Sequence, residues 1–355
     1  MKKRVAFFGV ISALVLLLVF CGLFRSAPIS GSAGSLIRIR SGGVILEFPT
    51  GITVPYAVVF TLLEVVNDDV RFVEAFLEHT LEKPITVSWA GSARVTRPMF
   101  AFAKPGGKVT AYESPPLTIN EAERYKGRLA HEFVHLVAYE YVKGRLPASV
   151  NEGIAVLVAN RSVSAPGHRL AAGLLASGRL PSLKQLLAMG YGNTEFDALV
   201  MYHGNASFFD FIEETHWHSV LLRLFREAPN CSVFSDEEVR EMLISLIEGC
   251  TLASLDDLEE EWHDSLRAVE VSQRYVDSLL LREELDVELL SLIRLSDWTG
   301  RKIDDEFLME YTDLSDSITR YGAGEDSGVT EDDLRHRIEA LREWATEMRR
   351  RMRGI

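Results

Sequence analysis

Two histidines and two glutamates stand out in LAHEFVHLVAYEYVKGRLPASVNEGIAVLVAN, residues 129–160: His131, Glu132, His135 and, after 16 intervening residues, Glu152. They sit among Val, Leu, Phe and Ala, and polar groups that share the burial of such neighbours need partners. On an α-helix, positions four apart differ by about 400° of rotation, so His131 and His135 project from one face and can reach one cation together. Glu132 lies about 100° round from His131, close enough to hold a water on that cation without ligating it. With zinc as the cation, the pKa of such a water falls toward about 7, and Glu132 can take its proton during attack on a carbonyl carbon. Glu152 is the candidate third ligand, because a turn before it can fold its helix back onto the first.

Each half of this arrangement needs a helix. TINE, Thr118 to Glu121, has the spacing of a capping box and predicts the start of the helix that carries His131 and His135. Gly144 is placed to end that helix and Pro147 to prevent its continuation. SVNE, Ser149 to Glu152, repeats the capping spacing, which leaves Glu152 two competing uses: a cap on backbone amides, or a ligand turned toward the first helix. Upstream, LIRIR and VILEF read as strands broken by SGG and PTG. Tyr56 to Leu81 then reads as a helix with Phe60, Leu63, Val66, Val70, Val73 and Phe76 apolar. PITVSWA, RPMFAFA and KVTAYES read as further strands, the last two joined by the turn KPGGK. Strands, a helix, strands and then helices almost to the end predict an α+β fold with a small N-terminal sheet. After about Arg267 amphipathic helices follow, broken at YGAGEDSG.

The 355 residues are 47% apolar and 25% charged, a globular composition with a formal charge of −13. That charge argues against a general nucleic-acid binder, which needs basic surface to displace counterions from phosphates. Lys2, Lys3 and Arg4 precede an uncharged run over residues 5–24, whose 20 residues would span about 30 Å as a helix, the thickness of a bilayer core. The basic cluster predicts a cytoplasmic N-terminus with the body outside the cytoplasm. Two outcomes fit: an uncleaved membrane anchor, or a signal peptide cut near SGSAG, residues 30–34, with the body secreted. LVFC, ending at Cys21, has bulky Phe20 where a lipoprotein box needs a small residue, which disfavours lipidation. Cys231 and Cys250 are the cysteines of the body; an oxidising compartment would permit them to pair, and two separate small buried residues is the equal alternative.

HEFVH followed by LPASVNEGIA resembles the glutamate-zincin, or peptidase MA-like, metalloproteases. In that family a helix-borne H-E-x-x-H is completed by the glutamate of an N-E-G-x-A segment. The resemblance implies His131, His135 and Glu152 as zinc ligands, Glu132 as general base, and a zincin fold in which a small sheet packs on the motif helix and a helical subdomain closes the cleft. It covers roughly residues 50–268 and is specific only between 131 and 155. The chain then divides into a leader over 1–30, a strand-rich part of a catalytic domain over 35–117, a zinc-binding helical part over 118–268 and a helical C-terminal extension over 269–355. Two departures bear on activity: Glu152 lies slightly closer to the motif than in the aminopeptidase branch, and the G-x-M-E-N segment with which that branch holds a free amino end is absent. The implied activity is therefore an endopeptidase acting on peptide or protein substrates.

In the family a Tyr or His from the helical half donates to the oxyanion that develops on the attacked carbonyl. Tyr202 and His203, in VMYHGNASFF, are the candidates, against a core aromatic and a helix-start residue. Asn151 could orient a ligand or serve only the turn before its helix. His216 and His218, two apart, would diverge by about 200° on a helix and read as solvated or half-buried histidines. Trp262 reads as a packing anchor. The terminal EMRRRMRGI reads as a solvated basic helix end, with contact to an anionic membrane as the alternative. Membrane contact through residues 5–24 and no nucleic acid complete the expected partners. The rival to a zinc peptidase is a non-enzymatic exported scaffold that keeps the fold and binds a partner through its helical C-terminal third; retention of Glu132, which a structural zinc does not need, favours the enzyme.

Overall fold

The computed structural model describes residues 36–89, 101–111, 114–141, 145–190, 194–299, 301–325 and 328–353. The leader with its run over 5–24, and Gly144, lie outside these. Strands β1 (Leu36–Ser41) and β2 (Val44–Pro49) form an antiparallel hairpin whose turn needs the positive φ of Gly42. Helix α1 (Tyr56–Phe76) crosses to β3 (Ile85–Trp89), which pairs parallel with β2. β4 (Ala101–Lys104) and β5 (Lys108–Ala111) form a second hairpin, and β5 pairs parallel with β3. The sheet order is β1-β2-β3-β5-β4, so β4 is its outermost strand on one side.

Twelve more helices follow among the described residues: α2 (Ile119–Glu123), α3 (Arg128–Tyr141), α4 (Ala148–Ser162), α5 (Arg169–Ala176), α6 (Leu183–Ala188), α7 (Glu195–His216), α8 (His218–Glu227), α9 (Asp236–Thr251), α10 (Leu255–Arg267), α11 (Gln273–Thr299), α12 (Asp305–Ala323) and α13 (Glu331–Arg353). The chain is thus mixed and mostly helical, with one small sheet. One core joins the sheet to the helices from α1 as far as Leu279 of α11; a second runs from Leu281 of α11 through α12 and α13. Trp262 is fully buried against Phe208, as a packing anchor should be. Cys231 and Cys250 are half-buried and unpaired. The terminal arginines are spent largely on acidic neighbours: Arg349 pairs with Glu288, and Arg350 and Arg351 with Glu347.

Several local expectations need correction. α1 stops at Phe76, five residues before Leu81, with Glu78 at positive φ, and its Phe60 faces outward. The Thr118–Glu121 capping box forms, but it opens the short α2 instead of the motif helix. Gly127, at φ +78, separates the two, and a Cβ there would stand 2.9 Å from Val163 Cγ1. His216 and His218 do not share a helix: Trp217, at φ +79, divides α7 from α8. His218 then bridges elements, with Nδ1 on Glu213 Oε1 at 2.9 Å and Nε2 on the Phe76 carbonyl at 2.7 Å.

The motif helix is capped from a distance. Asp69, buried on α1, accepts hydrogen bonds at Oδ2 from the backbone N–H of Gly127 (3.0 Å) and Ala130 (3.2 Å), groups that the first turn of α3 cannot satisfy internally. Burial pushes its carboxyl up to about 6, against the lowering effect of those two bonds. A carboxyl whose folded pKa lies above its unfolded one binds its proton more tightly when folded, so its contribution to stability falls as pH rises through the window from about 4 to 6. Asp69→Asn keeps an acceptor oxygen but cannot ionise. Urea unfolding at pH 4.5 and 7 should show wild type losing about 2 kcal/mol relative to the variant over that interval; a constant difference between the two proteins would refute the assignment.

Candidate metal centre

α3 is apolar on most of its circumference: Leu129, Ala130, Phe133, Val134, Leu136 and Val137 are all buried. It packs against α1, β4 and α4, and its histidine face meets the polar groups of α4. α4 enters from Pro147, an N-cap without a side-chain bond. Ser149, expected as a cap, instead donates its buried hydroxyl to the Leu187 carbonyl (3.0 Å). Glu152 is consequently not drawn into a capping box, and it turns toward α3.

His131 Nε2 and His135 Nε2 are 3.2 Å apart, and Glu152 Oε2 lies 3.2 Å from the first and 3.4 Å from the second. The three donor atoms converge on one point, and the set could hold a metal ion. Ligands about 2.0–2.2 Å from a zinc ion at tetrahedral angles stand about 3.3–3.6 Å apart. The observed triangle is close to that size, and two imidazoles with one carboxylate are a donor set that zinc accepts.

Asn151 determines which nitrogen of His135 is free. Its Nδ2 faces Glu152 Oε1 at 3.2 Å, and a carboxylate only accepts, so the amide N–H₂ must be on that side. Its Oδ1 therefore faces His135 Nδ1 at 3.1 Å and accepts from Nδ1–H. Neutral His135 thus presents its lone pair on Nε2, toward Glu152 and His131. Of the two uses open to Asn151, the contacts with His135 and Glu152 match the orienting one.

The carboxylate and the two imidazoles act strongly on one another. Burial opposes charge on His135, but the Glu152 carboxylate overcomes it and raises the imidazole to about 9. Burial likewise opposes ionisation of Glu152, yet His135 and His131 hold it well below the usual carboxylate range. A positive charge beside Glu152, a proton on His135 or a metal ion, would balance its carboxylate.

Glu132 is buried beside this triangle, and its charge acts on His135 and Tyr139. Tyr202 and His203 lie within α7, so His203 is not a helix-start residue. That helix nevertheless brings both to the site: the Tyr202 ring centroid is 6.3 Å from that of His131, and His203 is lowered to about 4 by burial and then by His131. α7 can approach because residue 153 is glycine, where a Cβ would stand 2.7 Å from Asn205 Cβ and 3.0 Å from the Phe209 ring. The six residues expected as catalytic or metal-binding are therefore gathered around α3, α4 and α7, with Asn151 beside them. Tyr139, not foreseen, adds a half-exposed hydroxyl that donates to the Ala103 carbonyl of β4 (3.4 Å), and burial followed by the charges of Glu132 and Glu152 raises its pKa. Its place four residues after His135 was the one signal that could have found it.

Comparison of the chain with protein-family models, with curated proteins and with solved structures finds no match. Among the described residues no helix is long and apolar enough to cross a membrane.

Proposed function

We infer that the chain is a zinc-dependent peptidase of the glutamate-zincin type, an endopeptidase that hydrolyses peptide bonds with Glu132 as general base. The observation that carries this reading is the triangle of His131 Nε2, His135 Nε2 and Glu152 Oε2, with sides of 3.2–3.4 Å, next to a carboxylate that is not part of it. A structural ion would need the triangle and not the neighbour. A zinc ion held by these three residues supplies Lewis-acid chemistry, lowering the pKa of a water and polarising a carbonyl.

The chain's own residues do the rest. Glu132 accepts the proton of the attacking water at its carboxylate and returns it to the departing amine, which lets one group serve both halves of the reaction. Its burial keeps bulk water from competing for that proton. The Tyr202 hydroxyl donates to the oxygen of the attacked carbonyl as negative charge develops there. His203, neutral at pH 7 with its pKa near 4, is the second donor available on the same turn of α7. β4, the outermost strand beside α3, offers a backbone edge along which an extended peptide can lie. That edge supports a polypeptide substrate, and the basic cluster before residues 5–24 supports a body outside the cytoplasm.

The test is steady-state kinetics on peptides cleaved by the zinc-reconstituted protein. Tyr202→Phe should lower kcat about 10²–10³-fold with KM little changed, because the hydroxyl acts on charge present only in the transition state. An unchanged kcat would remove Tyr202 from the reaction, and an absence of zinc-dependent cleavage by the wild type would remove the peptidase.

A further inference from the structure

A second set of imidazole and carboxylate groups lies outside the site described above. Helix α7 places Ser207, Asp210 and Glu214 at spacings of three and four, on one face. The segment between α4 and α5 brings Gly167 and His168 against that face, and Arg161 reaches it from the last turn of α4. His168 Nε2 is 3.6 Å from Asp210 Oδ2 and 3.5 Å from Glu214 Oε2, and the three atoms form a compact group able to hold a metal ion. Both separations exceed the 2.7–3.2 Å of a good N–H···O bond and match the about 3.3–3.6 Å expected between ligands of one ion.

The surroundings orient each donor. Both carboxylates are divided in the same way: Asp210 Oδ1 and Glu214 Oε1 (3.3 Å) contact Arg161 Nη2, which turns Oδ2 and Oε2 toward His168. The buried Ser207 hydroxyl receives Trp262 Nε1–H at 3.2 Å and lies 2.8 Å from His168 Nδ1. Its second lone pair can accept Nδ1–H, which leaves the lone pair of His168 on Nε2. Gly167 gives Asp210 room, since a Cβ there would fall 2.1 Å from Oδ2. Arg161 alone cannot neutralise Asp210 and Glu214 together, while Glu213, 3.6 Å from it, is shared with His218.

We propose that His168, Asp210 and Glu214 form a second divalent-cation site, structural in role, that fastens the start of α5 to α7 beside the end of α4. One imidazole and two carboxylates suit a zinc-like transition ion, whereas calcium and magnesium favour all-oxygen sites. Glu152 and Arg161 are nine residues apart on α4, about 13 Å along its axis, so the two sites are separate. Glu214 is half-exposed and opens the second one to solvent. The bound ion would hold the helix that also carries Tyr202 and His203.

The decisive experiment removes the first site and titrates the second. Chelator-stripped His135→Ala protein, or Glu152→Gln should the first variant fail to fold, is titrated with Zn²⁺ alone by calorimetry and by thermal unfolding. One zinc per chain and a raised Tm are expected. Adding Glu214→Gln, a half-exposed position compatible with folding, should weaken that binding more than about 10-fold and remove the Tm shift; Asp210→Asn should do the same. No zinc binding by the folded single variant, or equal binding after Glu214→Gln, would overturn the site and leave the cluster as ion pairs. The first site is judged separately: wild type should bind one more zinc than His135→Ala, and equality there refutes the first site without touching the second.

Discussion

Glu132→Gln should keep the fold and the zinc and still lose hydrolysis by about 10²–10⁴-fold or more. Glutamine has nearly the volume of glutamate, so the buried position beside α3 stays filled. Its amide cannot accept a proton as a carboxylate does, which removes general-base assistance worth about 10²–10⁴-fold, and it disturbs the orientation of the water as well. The loss should fall on kcat, with metal content equal to wild type, because Glu132 lies outside the triangle of donor atoms. A parallel loss of zinc would make Glu132 a ligand, and unchanged turnover would assign the proton transfer elsewhere.

Removing a member of the triangle should have the opposite signature. His135→Ala, His131→Ala and Glu152→Gln should each bind one zinc fewer than wild type and show no hydrolysis above background, since three protein ligands are the minimum that a catalytic zinc retains. The variants should differ in stability. His135→Ala leaves the buried Glu152 carboxylate with His131 as its remaining close partner in the triangle, and breaking such a buried pair costs about 3–5 kcal/mol. Glu152→Gln removes the charge itself and keeps a group able to accept, so it should be the milder change. Elemental analysis together with urea unfolding separates metal loss from unfolding. Full zinc content in folded Glu152→Gln protein would exclude that residue as a ligand.

What could be read from the sequence depended on distance along the chain. The turn-by-turn spacing of His131 and His135 is a property of any helix, and a helix was legible from its apolar flanks. Glu152 was legible as a candidate but not as a choice between cap and ligand; the choice rests on Ser149, which bonds Leu187, a residue 38 positions away. The strands appeared from alternation and turn residues, whereas their order did not, because the parallel pairing of β2, β3 and β5 depends on crossovers. TINE was read correctly as a capping box and attached to the wrong helix, since the positive φ of Gly127 leaves no trace in periodicity. Asp69 reaches α3 across 58 residues, and His168 meets Asp210 and Glu214 across more than forty, so neither arrangement had a local signal. Tyr202 and His203 were found through the family resemblance, and α7 carries them in because Gly153 permits its approach.

The central claim, that His131, His135 and Glu152 hold a zinc ion on which Glu132 drives peptide hydrolysis, is tested most directly by mapping the cuts made in an unbiased peptide library. Wild-type and Glu132→Gln proteins, loaded to equal zinc content, are compared by mass spectrometry of the digest. The expected result is a set of internal cuts by the wild type that disappears with a chelator, returns with zinc and is missing from the variant. A library left intact by the zinc-loaded wild type, or cut equally by both proteins, would contradict it.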